Sequence, residues 1–95
     1  MRFIVNNLLY DTDKAELLAE GNRTYEVYNT LFKTTIYPVR KVSLYKTEKG
    51  NYFFTYKADY GVMHCEPVDE GTAKDFLAHN NYDKYAELYG ELEEA

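Results

Sequence analysis

Residues 44–54, Leu44-Tyr45-Lys46-Thr47-Glu48-Lys49-Gly50-Asn51-Tyr52-Phe53-Phe54, constrain this chain more than any other stretch. Val42, Leu44 and Lys46 alternate with Ser43, Tyr45 and Thr47. Beyond the turn, Tyr52, Phe54 and Tyr56 alternate with Phe53, Thr55 and Lys57. A period of two in β-branched and aromatic residues marks a strand with two unlike faces. Gly50 falls where a type I turn with a G1 bulge needs positive φ, which glycine adopts without steric cost. The middle of the chain, residues 40–57, is therefore expected to be an antiparallel hairpin.

The flanks extend that core. Residues 62–68 read as a third strand, reached through the turn Ala58-Asp59-Tyr60-Gly61 and ended near Pro67. Residues 24–37 read as strand bent at Asn29-Thr30, and Tyr37-Pro38 forces an extended or turn geometry. Residues 2–10 read as one strand interrupted by two asparagines. Asp13 is placed to cap a short helix with Glu16 at N3, Ala15, Leu18 and Ala19 on one face and Gly21-Asn22 at its end. A strand over residues 14–20 is the alternative. Asp69 caps a second helical stripe, Thr72, Ala73, Phe76 and Leu77, running to about His79. After Asn80-Asn81, Tyr82, Tyr85, Tyr89 and Leu92 recur at three and four residues, with Leu88 widening the stripe and Asp83, Glu87, Glu91 and Glu94 largely opposite. Strands first and helices last imply an α+β fold, an antiparallel sheet of four or five strands with the C-terminal helices on one face. Ninety-five residues suit one domain.

Charge is unevenly placed. Residues 1–65 hold nine Lys/Arg and seven Asp/Glu, whereas residues 66–95 hold two Lys and nine Asp/Glu. The simplest account of the acidic third is a solvated, solubilising face. The functional account is a negative surface that meets a basic partner, with carboxylates standing where phosphates would. Such a surface repels free nucleic acid. No run approaches the roughly 18 apolar residues that a membrane span requires. The apolar stretch at the N-terminus is too short for a signal peptide. The single cysteine, Cys65, excludes an internal disulfide framework and suits a reducing cytosol.

Chemistry-bearing residues do not assemble into a motif. His64 and Cys65 are adjacent on a strand and point to opposite faces, so one does not activate the other. His64 and Glu66 share a face, and His79 and Asp83 are four apart across the Asn80-Asn81 break, which leaves two separate pairs where a metal needs three or four converging ligands. The five glycines stand singly, so no phosphate-binding loop can be built. Expected are no catalytic residues, no metal and no cofactor. Arg40, Lys41, Tyr45, Lys46, Lys49 and Tyr52 form a basic, aromatic hairpin of the kind on which single strands stack. The competing account is core aromatics with lysines guarding strand edges.

Three segments in order carry a resemblance: Tyr10-Asp11-Thr12-Asp13-Lys14-Ala15-Glu16-Leu17-Leu18-Ala19, the Leu44-Tyr45-Lys46-Thr47 hairpin, and Pro67-Val68-Asp69-Glu70-Gly71-Thr72-Ala73-Lys74-Asp75-Phe76-Leu77. Together they resemble a group of small, mostly uncharacterised accessory proteins of bacterial plasmids, conjugative elements and phages. This chain departs from that group in having Phe76 where a tryptophan is usual, in a β-rich addition over residues 23–39, and in a longer acidic tail after Asn80. The additions are where a specific binding function would be added. The resemblance implies a non-enzymatic binding module in the cytoplasm of a bacterial host, monomeric or homodimeric. Small acidic proteins of mobile elements include inhibitors of host defence such as anti-CRISPR proteins. The expected partner is thus the basic surface of a host protein or nucleoprotein complex, met by Tyr82, Asp83, Tyr85, Glu87, Tyr89, Glu91, Glu93 and Glu94. The alternative function is nucleic-acid binding through the Lys/Tyr hairpin.

Overall fold

The structure, a computed structural model, describes residues 1–95 with the exception of the Asp59 side chain. Its centre is a four-stranded antiparallel sheet. The strands are β3 (Glu16–Thr24), β6 (Val39–Lys46), β7 (Tyr52–Lys57) and β8 (Met63–Val68), in the spatial order β3-β6-β7-β8. Two further antiparallel pairs flank it, β1 (Arg2–Val5) with β2 (Leu8–Asp11), and β4 (Val27–Asn29) with β5 (Thr34–Ile36). Helices α1 (Glu70–Asn80) and α2 (Tyr82–Tyr89) follow the last strand. The fold is α+β, with the C-terminal helices packed on one sheet face.

The β6–β7 hairpin is the one read from its alternation. Leu44 pairs with Phe54 and Lys46 with Tyr52. The turn closes with Gly50 N–H donating to the Thr47 carbonyl (2.9 Å), and Gly50 has φ +89. Leu44, Phe54, Phe76 and Leu77 form the centre of the core, with the Phe54 and Phe76 rings edge-on at 4.9 Å.

Both faces of β7 are buried. Tyr52 and Phe54 face the helices, while Phe53 and Thr55 face away and are equally inaccessible, at 0% and 5% exposure. The N-terminal hairpin covers that second face. Tyr10 meets Phe53 edge-on at 5.2 Å, and Tyr45 stacks on the same ring at 5.2 Å. The buried Asp11 carboxylate accepts the Asp13 N–H at 3.0 Å and lies 3.5 Å from Arg2 Nε, so its burial is compensated.

Four sequence expectations need correction. Residues 2–10 are a hairpin, because Asn6 and Asn7 adopt φ 52 and 64 and form a two-residue turn between Val5 and Leu8. Asparagine tolerates the left-handed region, and a pair there matches the twist of flanking strands. Residues 14–20 are not helix. β3 carries a bulge at Leu17–Ala19 that turns Leu18 and Ala19 inward together. This i, i+1 burial after Ala15 mimics helical spacing. Residues 24–37 are not one strand either, since they double back as the β4–β5 hairpin. Finally, α2 ends at Tyr89, followed by Gly90 at φ 90, so Glu91 and Glu94 lie beyond the helix.

Gly21 has a role other than ending a helix. A Cβ there would stand 2.2 Å from Asn80 Oδ1 and 3.1 Å from the Phe76 ring. The end of α1 therefore lies directly on β3, with Asn80 held by its side-chain N–H on the Phe76 carbonyl (2.9 Å). Two stability predictions follow from these glycines. Gly50→Ala, which meets no neighbour within 4 Å, should cost about 1 kcal/mol through its dihedral alone. Gly21→Ala should cost about 1–3 kcal/mol through overpacking. Chemical denaturation with Asn80→Ser added should recover part of the second loss and none of the first.

Candidate functional site

The acidic residues gather at one end of the sheet. Asn81 fixes this end: its side-chain N–H donates to the Leu18 carbonyl at the β3 bulge (2.8 Å), and its Oδ1 accepts the Lys84 N–H to start α2. Tyr85 and Tyr89 then turn inward onto the core, and the Tyr89 hydroxyl hydrogen-bonds that of Tyr52. Burial, reinforced by Tyr52, holds the Tyr89 phenol above its usual range. Tyr82 and Asp83 remain exposed. Past Gly90 the chain is tied back by the Leu92 N–H donating to the Tyr82 hydroxyl (2.8 Å). Glu91, Glu93 and Glu94 are thus carried on a tethered segment and exposed. Lys84 is bound at 3.0 Å by Glu16 and at 3.5 Å by Glu87, which raises its pKa through the Glu16 hydrogen bond first.

Of the eight residues expected to meet a partner, six are surface groups and two are structural. Tyr82, Asp83, Glu87, Glu91, Glu93 and Glu94 are exposed, whereas Tyr85 and Tyr89 are half-buried packing residues. Glu91, Glu93 and Glu94 form no ion pair among the described residues. Three such carboxylates within four residues concentrate negative charge at this end.

The Lys/Tyr hairpin is split by its own pleat. Tyr52 is a core residue at 4% exposure, with the Lys46 ammonium 5.7 Å from its ring centroid, on the helix side. Arg40 shares that side, lying 5.5 Å from the Tyr56 ring. Lys41 and Tyr45 alternate to the other side, where Tyr45 stacks on Phe53. Lys49 stands on the turn, exposed. These six residues do not share a surface.

The half of the sheet beyond α1 is covered by side chains. Glu66 accepts from Arg23 Nη1 and from the Tyr25 hydroxyl, both at 3.0 Å. Burial, and next the hydrogen bond to Glu66, raise the Tyr25 pKa well above its ordinary value. Tyr25 and Tyr56 pack at 4.7 Å, and His64 stacks on Tyr56 at 5.4 Å. His64 is therefore held by a ring, and Glu66 by an arginine and a phenol. Cys65 pairs with Thr55 and so lies on the opposite side of the sheet, away from α1 and His79. His79 turns its Nδ1 to the Asp75 carbonyl (2.8 Å). No cluster of three or more metal-ligating side chains occurs among the described residues. A cleft of about 280 Å³ opens between the N-terminal hairpin and the β6–β7 turn, with Lys14 and Lys49 opposed by Asp11 and Glu48. It falls just below the range of ligand sites, ~300–1,000 Å³, and its charges cancel.

The surface that alternation did not reveal is the β4–β5 hairpin, an arm projecting from the end of the sheet opposite α2. The ladder between β3 and β6 runs to Thr24–Val39 and is interrupted at Pro38, which has no N–H to donate. Tyr25 N–H bonds the Pro38 carbonyl (2.9 Å), and pairing resumes at Val27–Ile36. At the tip, Asn29 Oδ1 accepts the N–H groups of Leu31 (3.0 Å) and Phe32 (3.2 Å). Those two side chains are 82% and 72% exposed. The arm helps to explain the radius of gyration, 14.9 Å against about 12 Å for a compact chain of this length. No helix among the described residues is long and apolar enough to cross a membrane.

No family model, curated protein or solved structure matches this chain.

Burial pushes the Cys65 thiol up to about 11 from an ordinary 9.0. The neutral thiol is the favoured form, so any stability it confers is complete below pH 9.0 and lost as pH rises through about 11. At neutral pH, iodoacetamide should alkylate Cys65 far more slowly in the native protein than in urea. Equal rates would place the thiol in water.

Proposed function

We propose that this protein is a non-enzymatic protein-binding module whose acidic C-terminal end docks on a Lys/Arg-lined surface. One observation carries the reading. Glu91, Glu93 and Glu94 are exposed without ion-pair partners among the described residues, on a segment held in place by the Leu92–Tyr82 hydrogen bond. A purely solubilising tail needs no such tether. A tethered set of carboxylates loses less conformational entropy on binding and keeps its spacing. Asp83 and Glu87 extend the charge along α2, and Tyr82, at 41% exposure, offers an aromatic contact beside it. A nucleic-acid-binding groove on a host protein has the complementary chemistry. Resemblance to mobile-element accessory proteins makes a nucleic-acid-handling defence complex the target class, so the module would act as an inhibitor of the anti-CRISPR type. The alternative, single-strand binding by the β6–β7 hairpin, is weakened by the placement of Lys41 and Tyr45 on one side and Arg40, Lys46 and Tyr52 on the other.

The test begins with capture of a partner from host lysate and continues with calorimetry on the purified pair. Affinity should fall steeply between low and high salt, since exposed charges are screened over about 10 Å at 0.1 M. Reversing Glu91, Glu93 and Glu94 to lysine should weaken binding at least about tenfold, as three rim charges change sign. Lys46→Glu with Lys49→Glu should leave it unchanged. Binding that survives the glutamate reversal, or tight oligonucleotide binding lost with Lys46 and Lys49, would contradict the proposal.

A further inference from the structure

The β4–β5 arm is paired within the sheet only to itself, and a lone two-stranded hairpin is marginally stable in water. It nevertheless leaves Tyr28, Leu31, Phe32, Ile36 and Tyr37, with Val39 at its base in β6, exposed by 59, 82, 72, 43, 63 and 65%. Tyr28 and Tyr37 fall on one face of the ribbon, whereas Ile36, opposite Val27, falls on the other. Leaving Ile36 out and counting ~200 Å² for each aromatic and somewhat less for each aliphatic side chain, that face and the tip offer on the order of 600 Å² per arm, against the ~800 Å² per partner of a stable interface. Scattered apolar residues need no explanation, but this many on one face and the tip of a short ribbon do.

The charges on the arm indicate what covers it. Residues 26–37 carry Glu26 at the base and Lys33 at the tip and no other charge. Both are exposed, and neither has an ion-pair partner among the described residues. A neutral arm lacks the excess of cations that a phosphate backbone requires. It is self-complementary, however. Two arms laid antiparallel about a two-fold axis bring the Lys33 of each tip to the Glu26 at the base of the other, twice per interface.

We propose that the β4–β5 arm is a homodimerisation element: a second copy of this chain packs on it antiparallel, burying the apolar residues and pairing Lys33 with Glu26 across the two-fold axis. The acidic end lies at the opposite end of the sheet, so each dimer presents two acidic surfaces outward. The proposal stands independently of what those surfaces bind.

Sedimentation equilibrium and light scattering on the full chain, from micromolar to millimolar, test it directly. The wild type should reach twice 11.2 kDa. Leu31→Ser with Phe32→Ser should give a monomer whose melting temperature equals that of the wild type at concentrations too low for the dimer, because both side chains stand in water in the single chain, and should lose the rise in melting temperature that the wild type shows with concentration. Lys33→Glu and Glu26→Lys should each raise the dimer dissociation constant about tenfold or more, with two attractive contacts turned repulsive. The doubly swapped chain should dimerise like the wild type. A wild-type chain that stays monomeric at millimolar concentration overturns the proposal, as does a dimer indifferent to both sets of changes. So does a monomer that binds an oligothymidylate probe through Leu31 and Phe32, which would assign the arm to single strands.

Discussion

The structure depends on the burial of β7 from both sides. Tyr52, Phe53, Phe54 and Thr55 are consecutive and all buried. A strand alternates its side chains between two faces, so four buried residues in a row require a cover on each. Helix α1 supplies one through Ala73, Phe76 and Leu77. The β1–β2 hairpin supplies the other through Tyr10 on Phe53. Burying two phenylalanine side chains contributes roughly 3–6 kcal/mol, a large share of what a domain of this size has in hand. The N-terminal hairpin is therefore a structural layer.

Once β7 is enclosed, the ends of the sheet are left for other uses. Asn81 ties the helix break to the β3 bulge and so fixes α2 over the end where β6 turns into β7. The acidic segment follows from there. The β3–β6 ribbon runs out of the sheet at the other end, and Pro38 separates the core ladder from the arm. The two surfaces differ in kind, one rich in free carboxylates and one apolar and neutral. They lie toward opposite ends of the β3–β6 ladder, one beyond Glu16–Lys46 and the other beyond Thr24–Val39.

Local signals in the sequence were sufficient where the structure is locally determined. Gly50 marks its turn because only the dihedral matters there. Asp69 caps α1, accepting the Thr72 N–H at 2.7 Å, because capping is a contact within four residues. The strands of the meander and the α+β class follow from the same kind of signal. What was not legible depends on partners distant in sequence. Leu18 and Ala19 imitate a helix because the bulge that turns both inward is matched to β6. Gly21 imitates a cap because the helix end that needs its missing Cβ comes sixty residues later. For the candidate surfaces, the acidic residues were visible as composition, but Gly90 moves three of them out of the helix. Residues 23–39 were legible as a β-rich addition. Their exposure was not, since alternation is the same for a strand that covers a core and one that leaves it.

Native-state hydrogen exchange followed by NMR tests the enclosure of β7 most directly. If both covers are needed, the amides of Phe53, Phe54 and Thr55 should exchange only through global unfolding. Their exchange free energies should then equal the stability measured by denaturation and fall with it when Tyr10 is replaced by alanine. Exchange of these amides through a smaller opening, with α1 still protected, would show that the N-terminal hairpin is not part of the core and contradict the account.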